Sequence, residues 1–344
     1  MIRINSNESY RSPLSPEEIV AIVQEAEINR YPTTQLADFL EAYASFFQLP
    51  VDHLFARNGS DEWIQQICLV LGKKEQPVLL LEPDFTMYRV CAEQAGRSIV
   101  SVPADAAFSF SLEKILDTIQ TARPALFFLS NPHNPTGQLF PVDWVEQCAQ
   151  AMGQVGGYLI LDEAYYGFNS EEEMDAEPNW LQLDHVIRLR TMSKSFGMAG
   201  LRIGIAIATE ATSQLLRQYE LPFPINHLSL AIATELLRQK ARVAQFWKEQ
   251  REVKDQLEMI LLEVVKRSEQ LKMLTSHANY FFLYGAEAVP FAQYCEQNGF
   301  RPRLFPTKSL QACSRFSLVA PEQLPLFQSV VERWQPHETS RSRA

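Results

Sequence analysis

The chain lacks the features that mark several large classes of protein. Its 344 residues include only five cysteines, Cys68, Cys91, Cys148, Cys295 and Cys313. Their odd number and wide scatter match neither a disulfide framework nor a zinc pattern, so no metal site is expected and a reducing, cytoplasmic compartment is. No block is rich in lysine or arginine and the formal net charge is −10, which argues against a nucleic-acid surface. The longest apolar runs fall well short of a membrane span. The start, Met1 to Ser6, turns polar at once instead of building the apolar core of a signal peptide. There is no internal repeat or low-complexity segment, although Ser170 to Asn179 is acidic and reads as an exposed loop.

What is present is a substantial apolar content, 46% of the residues, enough for one large core and a smaller one. Helix and strand patterns alternate, the mark of a mostly parallel sheet covered on both faces. Strands are predicted at Val78 to Leu81, Ser98 to Val102, Ala125 to Leu129, Tyr158 to Leu161, Val186 to Leu189 and Ile203 to Ala208. Ser15-Pro16-Glu17-Glu18 combines a cap, a first-turn proline and acidic residues, so a helix should start there, with Ile19, Ile22, Val23 and Ala26 as its apolar stripe. A charged helical stretch from Arg242 to about Gln270 leads to a second set of strands, Tyr280 to Leu283 and Phe316 to Val319.

Three motifs carry chemistry. Thr191-Met192-Ser193-Lys194-Ser195-Phe196-Gly197-Met198-Ala199-Gly200-Leu201-Arg202 sets a hydroxyl beside a lysine, with an arginine eight positions on. A lysine in a dry pocket loses its proton more easily and can form a Schiff base with pyridoxal phosphate. Ser193 and Arg202 can grip the phosphate, while Gly197 and Gly200 would let the backbone fold back between them. Ser130-Asn131-Pro132-His133-Asn134-Pro135-Thr136-Gly137 and Asp162-Glu163-Ala164-Tyr165-Tyr166 each close an apolar run, placing polar groups at the C-terminal ends of strands, where open α/β sheets bind ligands. Seen singly, Lys194 would be one more surface lysine, the Asn-Pro-Thr-Gly stretch an ordinary turn and Asp162 a loop cap.

Together, and with Ser6-Asn7-Glu8-Ser9, Asn29-Arg30-Tyr31-Pro32, Asn58-Gly59-Ser60-Asp61-Glu62, Glu82-Pro83-Asp84-Phe85-Thr86-Met87-Tyr88, Ala278-Asn279-Tyr280-Phe281 and Arg315-Phe316-Ser317-Leu318-Val319, these motifs give a chain that resembles the class I/II pyridoxal-phosphate-dependent aminotransferases, departing from the commoner Asn-Pro-Tyr-Gly form at Asn7 to Arg11. Within them it most resembles the histidinol-phosphate aminotransferases, over nearly its whole length. The resemblance implies a fold-type-I transferase: an α/β fold with a large, mostly parallel sheet domain covered by helices and a smaller α+β domain. The expected division is an N-terminal arm at 1–30 shared with the small domain, a large domain at 31–245, a small domain at 246–335 and a tail at 336–344.

The resemblance also implies roles. Lys194 carries the cofactor and moves the proton, Asp162 keeps the pyridine nitrogen protonated as an electron sink, and Tyr165 and Asn134 hold the phenolic oxygen. Phe85 stacks on the ring, where many relatives carry tyrosine. The phosphate is taken by Ser60 and Asp61 at a helix start, by Ser193 and Arg202, and by Tyr31 from the neighbouring subunit of a homodimer. Arg315 takes the substrate carboxylate or phosphate, Arg303 assists with Arg301 as a competitor, and Tyr10 closes the mouth. The implied reaction moves the amino group of L-histidinol phosphate to 2-oxoglutarate. An aromatic amino-acid aminotransferase and a threonine-phosphate decarboxylase share most of the pattern. A regulator using this fold would carry an N-terminal winged helix, whereas here the fold's pattern begins within the first few residues.

Overall fold

The structure is a computed structural model and describes residues 1–169 and 180–336. The acidic stretch at 170–179 and all but the first residue of the expected tail lie outside the described residues. In chain order the strands are β1 (Ile2–Ile4), β2 (Leu54–Arg57), β3 (Val78–Glu82), β4 (Ile99–Pro103), β5 (Leu126–Ser130), β6 (Tyr158–Asp162), β7 (Val186–Thr191), β8 (Gly204–Ile207), β9 (Lys272–Met273), β10 (Tyr280–Tyr284), β11 (Phe300–Leu304) and β12 (Cys313–Ser317). They form a seven-stranded sheet in the order β2-β8-β7-β6-β5-β3-β4 and a five-stranded sheet in the order β1-β11-β12-β10-β9. The large sheet is parallel except where β8 runs against both β7 and β2.

The continuous apolar runs follow from burial on both faces. Along β5, Leu126 and Phe128 point into one core, and Phe127 and Leu129 into the opposite one. Leu79 and Leu81 of β3 and Leu159 and Leu161 of β6 join the second core in the same alternation. Helices cover each face, and the crossover loops therefore gather at one end of the parallel strands. Ser130 and Asp162 are the last residues of their strands at that end.

Ser15 caps the Pro16–Glu25 helix as expected: its side chain accepts from Glu18 N–H at 3.3 Å, while Glu18 Oε2 accepts from Ser15 N–H at 2.7 Å. The helix Lys240–Val265 puts Val243, Phe246 and Trp247 into the core beneath the large sheet. Val253, Leu257, Leu261 and Val264, further along it, enter the core of the small one. Tyr165 and Phe168, from the loop after β6, are buried in that second core, so the two sheets meet at the loop that follows Asp162.

Two expectations need correction, and the strands β1, β2, β9 and β11 carried no sequence prediction. β12 ends at Ser317 rather than running from Phe316 to Val319, so Arg315 lies inside a strand instead of opening one. Gly197 has the left-handed backbone that favours glycine (φ 65°), but Gly200 sits in a short 3-10 turn with no positive φ and open space where a side chain would be. The residue that turns the chain beside it is Arg202 itself, at φ 54°.

Candidate active site

Two cavities meet where the sheets meet. The inner one, about 110 Å³, lies over the strand ends and is lined by Ser60, Asp61, Tyr88, Asp162, Ser193 and Arg202 among others. The outer one, about 480 Å³, opens toward the small sheet and is lined by Asn5 to Asn7, Asp84, Arg303, Phe305 and Arg315 among others. Phe85, Asn134, Tyr165 and Lys194 line both, so Lys194 stands at the junction.

The inner cavity is polarised. At one end the helix Ser60–Val70 begins after Gly59, which has φ 90° and whose missing side chain would come within 2.6 Å of the Arg202 guanidinium. The backbone there favours glycine, and a side chain would displace the Arg202 guanidinium. Arg202 donates to Asp61 Oδ2 at 3.1 Å and to Ser193 Oγ at 3.4 Å, so cation, hydroxyl and helix start converge. At the other end Asp162 Oδ2 accepts from the Tyr88 hydroxyl at 2.6 Å, and Oδ1 accepts from Ala164 N–H at 3.0 Å. Burial pushes the Asp162 carboxyl up to about 6, against the opposing pull of these donors. Lys194 Nζ donates to the Ser6 carbonyl at 3.0 Å, and burial, with Arg315 nearby, pushes its ammonium down to about 8. A ligand with a dianion at one end, a protonated ring nitrogen at the other and an aldehyde between them fits this set of donors. Phe85 supplies an aromatic face, set edge-on to Tyr88 at 5.4 Å between ring centres.

The outer cavity carries uncompensated positive charge. Arg315 is buried; its guanidinium donates to Asn134 Oδ1 at 2.8 Å and to the Asn5 carbonyl at 3.2 Å, and Nε has no partner. Arg303 is its register partner on β11, and among the described residues neither arginine has a carboxylate partner. Arg301, the competitor for the second role, is paired with Glu296 at 2.8 Å, whereas Arg303 lines the cavity. Because Asn134 spends its carbonyl oxygen on Arg315, its amide N–H groups remain for the inner cavity.

Ser60, Asp61, Phe85, Asn134, Asp162, Tyr165, Ser193, Lys194 and Arg202 are thus brought together around the inner cavity, and Arg303 and Arg315 face the outer one. Tyr31 and Tyr10 are not brought in. Tyr31 is 74% exposed and stacks on Phe223 at 4.7 Å. Tyr10 lines neither cavity and packs against the core of the small sheet instead of closing the mouth. Two functional residues carried no prediction. Tyr88 lies one helical turn after Phe85, a spacing that puts both on one face and that would have found it. Asn7, whose amide donates to the Tyr165 hydroxyl at 2.9 Å, has no such local signal.

A mostly parallel sheet with a lysine, a carboxylate and an arginine beside a helix start at its strand ends, facing a basic cavity, suits a pyridoxal-phosphate-dependent enzyme. The chain belongs to the aminotransferase class I and II family, whose model matches residues 2–320. More particularly, it is similar to the histidinol-phosphate aminotransferase of Aquifex aeolicus, at 30% identity over 96% of this chain and 92% of that protein. The same enzyme of Clostridium novyi is 28% identical over 94% of this chain and 88% of that one. The crystal structure of histidinol-phosphate aminotransferase from Sinorhizobium meliloti in complex with pyridoxal-5'-phosphate superposes with a TM-score of 0.83. It covers 96% of this chain and 90% of that one at 24% identity, a likeness of fold. Among the described residues no helix is long and apolar enough to cross a membrane.

Proposed function

We propose that the protein moves the amino group of L-histidinol phosphate to 2-oxoglutarate. The observation that carries this reading is the pair Arg315 and Arg303, which line the outer cavity and have no carboxylate partners among the described residues. One donor lacks a carboxylate and offers a phosphate, and the acceptor offers carboxylates. A guanidinium fork serves both anions in turn. The similarity to histidinol-phosphate aminotransferases supports the same choice.

Pyridoxal phosphate supplies an aldehyde that condenses with amines and a ring that takes up the electron pair released with the α-proton. Lys194 would hold this group and, when its amine is free, would carry the α-proton; its lowered basicity leaves an appreciable neutral fraction near pH 8. Asp162, oriented by Tyr88, would keep the ring nitrogen protonated. Asn134 and Tyr165 would hold the phenolic oxygen, Phe85 would cover the ring, and Ser60, Asp61, Ser193 and Arg202 would take the phosphate. The chain divides into an arm, a large domain, a small domain and a tail near 1–30, 31–245, 246–335 and 336–344. It works in the cytoplasm as a homodimer in which Tyr31 completes the neighbour's phosphate site. The exposure of Tyr31, Ile28, Leu221 and Phe223 supports a second copy covering that surface.

The test is a half-reaction screen. At equal low concentration L-histidinol phosphate should convert the pyridoxal form to the pyridoxamine form, read by absorbance, faster than phenylalanine, tyrosine or threonine phosphate. Faster conversion by an aromatic amino acid would make this an aromatic aminotransferase. Release of carbon dioxide from threonine phosphate would make it a decarboxylase.

A further inference from the structure

The residues before the first helix do more than cover the site. Asn5 accepts from Arg315, Ser6 from Lys194, and Asn7 donates to Tyr165, each over more than a hundred positions of chain. Asn7 is almost wholly buried and takes a left-handed backbone, φ 54°, which asparagine tolerates better than most residues. Its backbone N–H donates to Ser317 Oγ at 2.9 Å, and Ser317 Oγ donates back to Asn7 Oδ1 at 2.7 Å. The Asn7 carbonyl is held in turn by Asn279 at 2.9 Å. Since the serine accepts from the backbone, its proton is free for Oδ1, and this fixes the amide with its N–H toward Tyr165.

A phenol has one proton to give and two lone pairs to receive. Asn7 fills a lone pair of Tyr165, and no described residue takes the proton. The Tyr165 ring is held edge-on to Tyr280 at 5.0 Å, and the residue lines both cavities. We propose that Asn7, oriented by Ser317, is a positioning residue that sets the direction of the Tyr165 hydroxyl, so that its proton is donated into the cofactor cavity. This rests on the reading of that cavity as the pyridoxal-phosphate site.

The informative variant is Asn7→Asp, which keeps the shape and the backbone preference but offers an acceptor, drawing the Tyr165 proton away from the cavity. Three results are expected. The pH midpoint of the absorbance change of bound pyridoxal phosphate moves upward. kcat falls about tenfold with the donor KM within about threefold, the size of one lost hydrogen bond to a developing charge. In a Tyr165→Phe background the same substitution changes kcat less than about twofold, because residues acting through one another are not additive. In cofactor-free protein the Tyr165 signal, seen by NMR with ring-labelled tyrosine, also shifts. Ser317→Ala moves the midpoint the same way and serves if Asn7→Asp does not fold. An unmoved midpoint, or an equal loss with and without the Tyr165 hydroxyl, overturns the proposal. A chain that binds no pyridoxal phosphate would instead overturn the cavity assignment, and the cofactor-free spectrum would still decide the link between Asn7 and Tyr165.

Discussion

The inner and outer cavities share four residues yet are built in opposite ways. The inner one is made by short motifs that each finish a strand or start a helix: Gly59-Ser60-Asp61, Phe85 to Tyr88, Asp162 to Tyr165, Ser193 to Arg202. Its charged groups each have a partner: Arg202 has Asp61, Asp162 has the Tyr88 hydroxyl and Lys194 has the Ser6 carbonyl. The outer one shares the Glu82 to Arg89 segment but adds Asn5 to Asn7 from one end of the chain and Arg303 to Arg315 from the other, and among the described residues Arg303 and Arg315 have no carboxylate partner. On the proposed function, the groups that would hold the cofactor sit on strand ends and helix starts, while the arginines that would take the substrate anion sit in the small sheet, beside segments that only folding brings to them.

The largest effect expected is at the junction. Lys194→Ala should abolish the borohydride-reducible link to pyridoxal phosphate while the chain still folds, since the side chain makes one hydrogen bond and joins no core cluster. A variant that keeps a reducible adduct at full occupancy would remove Lys194 from its role. Mixing this chain with Tyr31→Ala chains then tests where the inner cavity ends. If Tyr31 serves its neighbour, refolded heterodimers regain activity because one site has both residues intact. No gain, with heterodimers shown to form, would leave the site within one chain.

Next in size is Asp162→Asn, which keeps the size of the side chain, removes its charge and leaves one acceptor oxygen where the carboxylate has two, one for Tyr88 and one for Ala164. Cofactor binding should persist while α-proton removal slows by about two to three orders of magnitude, the range for loss of a preorganised charge at a reacting centre. Single-turnover kinetics check this, and a near-normal rate would move the electron-sink role elsewhere.

What could be read in advance follows the same division. Lys194, Asp162 and Asn134 stand in local patterns, and a strand buried on both faces announces itself as an apolar run. β2 did not, because four residues ending in Arg57 give no period to count. β12 was displaced for a related reason. Its polar Ser314 and Ser317 are buried on partners far away in sequence, the Ala288 carbonyl and Asn7, so the apolar Leu318 and Val319 just beyond it looked more like the strand. Asn7 went unassigned because its meaning depends on Tyr165, 158 positions away. Tyr10 was placed at the mouth by resemblance in a segment, Asn7 to Arg11, that departs from the commoner form, and the chain there turns the ring into the small core.

The outer cavity can be probed by its two arginines, which differ in burial. Arg315 is enclosed, with one amino group on Asn134 and another on the Asn5 carbonyl, so its fork is held before any anion arrives. Arg315→Ala should lower kcat/KM in both half-reactions by roughly tenfold to a thousandfold, as expected for a lost charge-assisted contact. Arg303 is exposed, so salt screens its charge. Arg303→Ala should cost only about threefold to tenfold, mainly in KM, and the loss should shrink as ionic strength rises. Measuring both variants with L-histidinol phosphate and with 2-oxoglutarate at two salt concentrations separates the wall from the rim. Equal, salt-independent losses would mean that the rim arginine grips the anion as directly as the buried one, and that substrate selection reaches to the edge of the cavity.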